Sequence, residues 1–319
     1  MSETELSAVV PVYNEEACLE ALHQRLSAVL AKLTPHYEIL FVNDGSTDRS
    51  PEILRDLHAR DPAHVRVLFL SRNFGHEAAS TAGLRHARGR GVVLIDADLQ
   101  DPPEVIPELV ARWREGYDLV YAQRASRARE TWLKRATSAL FYRVMRRLAN
   151  LDLPRDTGDF RLMDRKVVDA FNDCPERNRF VRGLVCWVGF RQTGIKFHRD
   201  PRYGGTTKYN YFKLTRLAVD SIVAFSVVPL RLATLVGAVI GAGSFFMFLL
   251  VLLERLRGTG PERGYALLGT GILLLGSVQI FLLGIIGEYI GRIYQETQRR
   301  PLYLIQESLD VTEHVAAGR

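Results

Sequence analysis

VVLIDADLQDPPE, residues 92 to 104, joins an apolar run, Val92 to Ile95, to the carboxylates of Asp96, Asp98, Asp101 and Glu104. A short unbroken apolar run of this kind reads as a buried strand. Carboxylates resist burial and repel one another, so crowding them at a strand end raises the pKa of some unless a cation compensates. Hard oxygen donors in this number suit Mg2+ or Mn2+. The plain alternative is a solvated acidic loop leading into a helix at DPPE, where proline and acidic residues favour the first turn.

The neighbouring sequence repeats the pattern. LSAVV, Leu6 to Val10, reads as a strand ended by Pro11, and Cys18 to Leu33 carries Leu19, Leu22, Leu26, Val29, Leu30 and Leu33 at helical spacing. A second strand, Glu38 to Val42, runs into Asn43, Asp44 and Gly45, with a helix opened by Pro51. VRVLFLS, GVVLIDAD and YDLVYAQR supply three more strands, separated by helical segments. This alternation predicts an α/β fold with a doubly wound, mostly parallel sheet and helices on both faces. Ligands bind such sheets outside the carboxyl ends of the strands. Those ends carry Tyr13, Asn14 and Glu15, then Asp44, then Asp96 and Asp98, then Gln123 and Arg124. PVYNEE follows the first strand without the glycines of a dinucleotide fingerprint, and no phosphate-binding P-loop occurs. Further on, DTGDFRLMDRKVVDAF reads as a turn at Gly158 that presents Asp159 and Arg161 ahead of a helix starting near Asp164.

The chain has 319 residues and a formal charge of +6. No charged residue occurs from Leu232 to Leu253 or from Tyr265 to Gly287. Each run is long enough for the ~20 residues a membrane helix needs. A buried helix pair in a soluble core is the alternative. Basic clusters flank the two runs, which places both termini on the cytoplasmic side of an inner (plasma) membrane as a multi-pass protein. The expected organisation is a cytoplasmic domain over 1–208, an interfacial amphipathic helix over 209–228, two membrane helices within 229–291 (about 232–253 and 265–287), and a cytoplasmic C-terminal helix and tail over 292–319. The N-terminus does not read as a signal peptide. Cys18, Cys174 and Cys186 lack metal-site spacing and suit a reducing compartment. The basic balance is expected to serve lipid headgroups and phosphates, with no nucleic-acid motif present. Gly237, Gly241, Gly284 and Gly287 would permit close helix contacts, either within one chain or in a homo-oligomer.

VVPVYNEE, FVNDGSTD, IDADLQDPPE, GDFRLMDR and RYGGTTKY, in this order and followed by the apolar pair, resemble the family-2 glycosyltransferases of the GT-A fold. More narrowly they resemble the polyprenyl-phosphate glycosyltransferases: the bactoprenol glucosyltransferase (GtrB) type, with dolichyl-phosphate mannose synthase and undecaprenyl-phosphate aminoarabinose transferase as relatives. The resemblance covers nearly the whole chain. It implies that DAD is the D-x-D motif, with Asp98 on a divalent metal that bridges the phosphates of a nucleotide sugar, and Asp96 on the ribose or the metal. Gln100 would lie near metal or sugar. Pro11, Tyr13, Glu15 and Asp44 would cradle base and ribose, although Tyr13 also suits simple packing and Asp44 an Asx-turn with Gly45.

The same resemblance makes Asp159 the aspartate of the catalytic region, with Arg161 beside it, and leaves open whether Asp159 takes a proton or positions a substrate. Arg124, Lys134, Arg135, Arg202 and Lys208, with the Ser138 hydroxyl, would meet the phosphates, Arg202 and Lys208 lying in the family's RYGGTTK loop. The implied reaction is inverting transfer of a hexose, glucose from UDP-glucose first and GDP-mannose or a UDP-aminoarabinose next, to undecaprenyl phosphate for cell-envelope glycan or lipid modification. Two other functions compete. A processive polysaccharide synthase would carry Q-x-x-R-W and more spans, and neither is found. A non-catalytic membrane adaptor with a relic domain should have lost Asp96, Asp98 or Asp159, and all three are present.

Overall fold

The computed structural model describes residues 4–124, 157–177, 179–197, 228–256 and 265–311. Two compact units divide the chain: residues 1–210 with 300–319, and residues 211–299.

The first unit is built on strands β1 (Leu6–Val12), β2 (Tyr37–Asn43), β3 (Val65–Leu70), β4 (Gly91–Leu94), β5 (Leu119–Arg124), β6 (Thr157–Asp164), β7 (Gln192–Phe197) and β8 (Ile305–Leu309). They form one sheet in the order β7-β5-β6-β4-β1-β2-β3-β8. β6 and β8 run against the rest. Every residue of β1 to β4 is buried, as expected where helices cover both faces. Leu19, Leu22, Leu26 and Leu30 of α1 (Leu19–Leu33), with Leu54 and Leu57 of α2 (Ser50–Arg60) and Ile106 and Leu109 of α4 (Ile106–Arg114), pack on the face carrying Ala8, Val10 and Phe41. The helix between them, α3 (His76–His86), packs against β1 and β2. A side chain at its Gly83 would run into Val9 Cγ1, so glycine lets this helix lie close on the central strands. Helices α5 (Arg165–Asp173) and α6 (Val181–Trp187) follow β6.

The sheet is thus mixed, and three local expectations change. β1 runs through Pro11 to Val12 rather than stopping at the proline. Pairing with β4 ends at Val9, whose carbonyl accepts from Ile95 N at 3.1 Å, so the donor that Pro11 lacks falls where β4 has already departed. GDFRLMD is not a turn before a helix. It is the antiparallel strand β6, seated between β4 and β5, with Asp164 capping α5 through Lys166 N at 3.1 Å. The C-terminal segment is helical only to Thr297, and residues 305–309 form β8 on the edge of β3.

β8 is fixed by polar contacts. Arg55 forks Glu307, with Nη2 to Oε2 at 2.6 Å, and Ser71 N donates to Leu304 O at 2.9 Å. Arg66 Nε donates to Asp310 O at 2.9 Å, while its Nη1 pairs with buried Glu38. Glu38 in turn accepts from Ser7 Oγ at 2.5 Å and Arg88 N at 2.6 Å. A buried pair satisfied in this way is costly to break on one side.

The second unit holds α7 (Val228–Leu256) and α8 (Tyr265–Thr297). Val239, Phe245, Phe246, Ile280, Phe281 and Leu283 are all exposed, which water does not favour for so many large apolar groups. Among the described residues one stretch, Leu275–Thr297, is long and apolar enough to cross a membrane, and Ala233–Met247 is a shorter apolar stretch. The expected spans at 232–253 and 265–287 lie within α7 and α8. Gly237 faces Leu282 of the same chain, 3.9 Å from an added Cβ. The amphipathic helix expected at 209–228 lies outside the described residues but for its last position, which begins α7.

Glu38→Gln leaves the Arg66 guanidinium buried without its charged partner. Its unfolding free energy should fall by about 3 kcal/mol in denaturant titration of the intact protein in detergent. A loss below about 1 kcal/mol would show that the pair contributes no more than a surface bridge.

Candidate active site at the carboxyl edge of the sheet

Strands β1, β2 and β4 are parallel and end at one edge. β6 is antiparallel to β4, with Arg161 opposite Leu94, so its first residues extend past the end of β4 at that same edge. Asp159 therefore arrives beside Asp96 from a strand running the other way. Gly158 lets the start of β6 sit close to its neighbours: a Cβ there would lie 3.5 Å from Arg124 Nη2 and 3.9 Å from Asp101 Oδ2.

The Asp159 side chain is buried, and both of its oxygens are engaged. Arg182 at the start of α6 forks it, Nε to Oδ1 at 2.7 Å and Nη2 to Oδ2 at 2.8 Å. His76 Nε2 lies 3.2 Å from Oδ2 and 3.7 Å from Asp96 Oδ1. Burial alone would raise the Asp159 pKa. The Arg182 and His76 hydrogen bonds outweigh it and hold the carboxyl well below the usual carboxylate range. His76 shows the converse. Burial opposes its charge, but the bond to Asp159 and the field of Asp96 lift it to about 9. Asp96 is pushed up to about 7, by burial first and then by the charge of Asp159, with Asp101 and Asp98 contributing. Glu77, next to His76, accepts from Val181 N at 2.8 Å and so ties the start of α3 to the start of α6.

The other expected residues fall as follows. Pro11 is buried in β1, Tyr13 is exposed past its end, and Glu15 N donates to Ser50 Oγ at 3.1 Å. Asp44 is buried at the end of β2 and accepts from Phe74 N at 2.7 Å and Gly75 N at 2.9 Å, which fixes the entry to α3; burial raises its pKa. These partners lie in the segment after β3, and the local turn bond is made by Asn43 Oδ1, which accepts from Ser46 N at 3.3 Å. Asp98 is buried and accepts from Gln100 N at 3.2 Å. Arg161 is fully buried and donates to the carbonyls of Gly158 (2.8 Å) and Asp159 (3.2 Å), so it braces the backbone that carries Asp159. Arg124 ends β5. Lys134, Arg135, Ser138, Arg202 and Lys208 lie outside the described residues.

The residues suit a divalent cation. Asp96 Oδ1 is buried and has no hydrogen-bond partner among the described residues. His76, Asp96 and Asp159 offer ligand atoms within 4.8 Å of one another. The Arg182 fork already engages both Asp159 oxygens, so Asp96, with Asp98 nearby, is the better anchor for a hard ion.

Three residues here escaped the sequence reading: His76, Glu77 and Arg182. His76 and Glu77 open α3, shortly after the end of β3, and a rule that follows strand ends, as it selected Asp44 and Asp96, could have reached them. Arg182 carries no such signal, since it opens a seven-residue helix far along the chain.

Residues 7–171 match the family described as Glycosyl transferase family 2, and residues 228–293 match the GtrB C-terminal hairpin. An uncharacterized glycosyltransferase of Synechocystis sp. is 50% identical over 303 residues, 95% of each chain. An uncharacterized glycosyltransferase of Bacillus subtilis is 48% identical over 305 residues, 96% of this chain and 94% of that one. A prophage-derived bactoprenol glucosyl transferase of Shigella flexneri is 41% identical over 304 residues, 95% of this chain and 98% of that one. Among solved structures, a mannosyl-3-phosphoglycerate synthase from Rubrobacter xylanophilus superposes with a TM-score of 0.47 at 21% identity, over 69% of this chain and 73% of that one.

In the metal-free protein the His76 imidazolium should persist at neutral pH and titrate near pH 9, followed by NMR of the ring protons. Because this pKa is raised above 6.5, the ion pairs of His76 contribute fully below about pH 6.5 and are lost as pH climbs through 9. Asp159→Asn should bring the titration down; an unchanged value would show that the two groups are not coupled.

Proposed function

The chain belongs to glycosyltransferase family 2, and from that premise we propose that it is a membrane-bound inverting transferase that moves a hexose from a nucleotide sugar, UDP-glucose by preference, to the phosphate of undecaprenyl phosphate. The observation that carries the reading is the meeting of Asp96, Asp98 and an ionised Asp159 at one sheet edge. The likeness to a bactoprenol glucosyl transferase along nearly its whole length, with the hairpin match, favours a lipid-linked acceptor. The apolar, exposed surface of α7 and α8 suits a bilayer, with the first unit on its cytoplasmic face.

The acceptor is a phosphate monoester with a second pKa near ~6, a dianion at neutral pH. Its oxygen forms the new bond to the anomeric carbon while the bond to the nucleoside diphosphate breaks. Attack opposite the leaving group inverts that carbon. No proton has to be removed from such a nucleophile, which fits the low basicity of Asp159. A carboxylate accepts about four hydrogen bonds. Three are engaged here, which leaves Asp159 to orient a hydroxyl of the sugar. Mg2+ or Mn2+ held by Asp96 and Asp98 would stabilise the charge that grows on the leaving diphosphate. Asp44 and Tyr13 border the place for base and ribose. Arg124, with Lys134, Arg135, Ser138, Arg202 and Lys208, is assigned to phosphate.

Purified protein with undecaprenyl phosphate, Mg2+ or Mn2+ and a panel of labelled UDP- and GDP-sugars should yield organic-extractable label from one donor, UDP-glucose. Chelation should abolish it, and Asp98→Ala should lower it at least about 100-fold. GDP-mannose as the preferred donor would correct the sugar, and no label from folded protein with any donor would sink the assignment.

A further inference from the structure

Among the described residues, Arg182 is the one strong cation that both oxygens of Asp159 share, and it is placed by contacts independent of substrate. The Glu77 carboxylate receives Val181 N at 2.8 Å, one residue before Arg182, and so fixes the first turn of α6 against α3. His76 of α3 closes on Asp159 Oδ2 from the other side. Arg161 braces the Asp159 backbone from within the sheet. Three elements, α3, α6 and β6, thus converge on one carboxylate, and the Arg182 fork sets the plane of that carboxylate with two parallel bonds. The Arg182 side chain is 40% exposed while that of Asp159 is 4% exposed.

We propose that Arg182 is a positioning residue for the transfer reaction, acting through Asp159: its fork orients the carboxylate toward the reacting sugar, and the Glu77 latch keeps the fork in register. The inference rests on the transferase reading above. A lysine there supplies charge but no fork, so it cannot fix the carboxylate plane. Alanine removes both. Because Arg182 acts through Asp159, its loss should matter only while Asp159 is present to be oriented.

The test uses the full-length protein in detergent with undecaprenyl phosphate and UDP-glucose, comparing R182A, R182K, D159N and the double variant R182A/D159N. UDP binding by calorimetry and a cooperative thermal melt report folding. R182A should lower kcat about 100-fold with KM for UDP-glucose within about threefold, and R182K should recover little. Added guanidinium ion should restore R182A at least about fivefold, a readout that a purely structural role would not move. The double variant should be no slower than D159N. R182A with kcat within about threefold of wild type, or a double variant that multiplies the two losses in full, overturns the proposal. Should R182A fail to bind UDP or to melt cooperatively, folded R182K decides: wild-type kcat overturns the proposal, and a loss of at least about tenfold at unchanged KM supports it. An inactive wild-type protein sinks the transferase reading and this proposal together, whereas an active wild type with indifferent Arg182 variants sinks this proposal alone.

Discussion

Negative charge gathered at a sheet edge has to be compensated, and the architecture around β6 can be read as the way this chain does it. Asp96, Asp98 and Asp101 leave β4 together, and β6 adds Asp159. In a partly dry site like charges at such range raise one another's pKa, as Asp96 shows at about 7. Asp159 escapes that fate because two cations reach it, one from the start of α3 and one from the start of α6. Glu77 holds those two helix starts together, although burial and the nearby Asp159 raise its own pKa. The result is a graded set: one carboxylate firmly ionised, one poised, and one that spends its oxygen on a helix start.

How much of this could be read in the sequence follows from which polarity rules hold. β1 to β4 are buried on both faces and so appear as largely apolar runs, broken only by single polar residues such as Ser7, Glu38 and Arg66, which the strand reading recognises directly. β6 departs further from the apolar pattern. Its Arg161 is fully buried and spends its donors on backbone carbonyls, and Asp159 is buried on the same face. With Gly158 before them, these residues mimic a polar turn. β8 is an edge strand whose Glu307 faces Arg55, and the sequence of such a strand has no apolar run to announce it. Asp96, Asp98 and Asp159 were nonetheless found from strand ends and motif order. Arg182 was not, because its meaning comes from a contact 23 positions away in sequence.

The position of β8 also bears on how the chain completes its fold. β3 would be an open edge without it, with unpaired backbone groups along its length. The strand that covers it follows both long helices in the sequence, so the first unit closes its sheet only after both helices have been made. The Arg55–Glu307 fork and the Arg66 contact to the Asp310 carbonyl then fasten the returning segment at two points.

The same electrostatics argue against the simplest mechanistic use of Asp159. A general base works best with a pKa near the operating pH. Asp159 lies far below, and the two groups that depress it are the ones that fix its direction. Removing those cations to make it a better base would also remove its orientation, so a chain selected for basicity there would not surround it with Arg182 and His76. An acceptor that is already an anion makes the trade unnecessary: it needs alignment with the anomeric carbon and a stabilised leaving group, and alignment alone is worth orders of magnitude in rate. What the edge of this sheet supplies is a fixed carboxylate beside a poised one. That pairing suits the orientation of a sugar better than it suits the transfer of a proton.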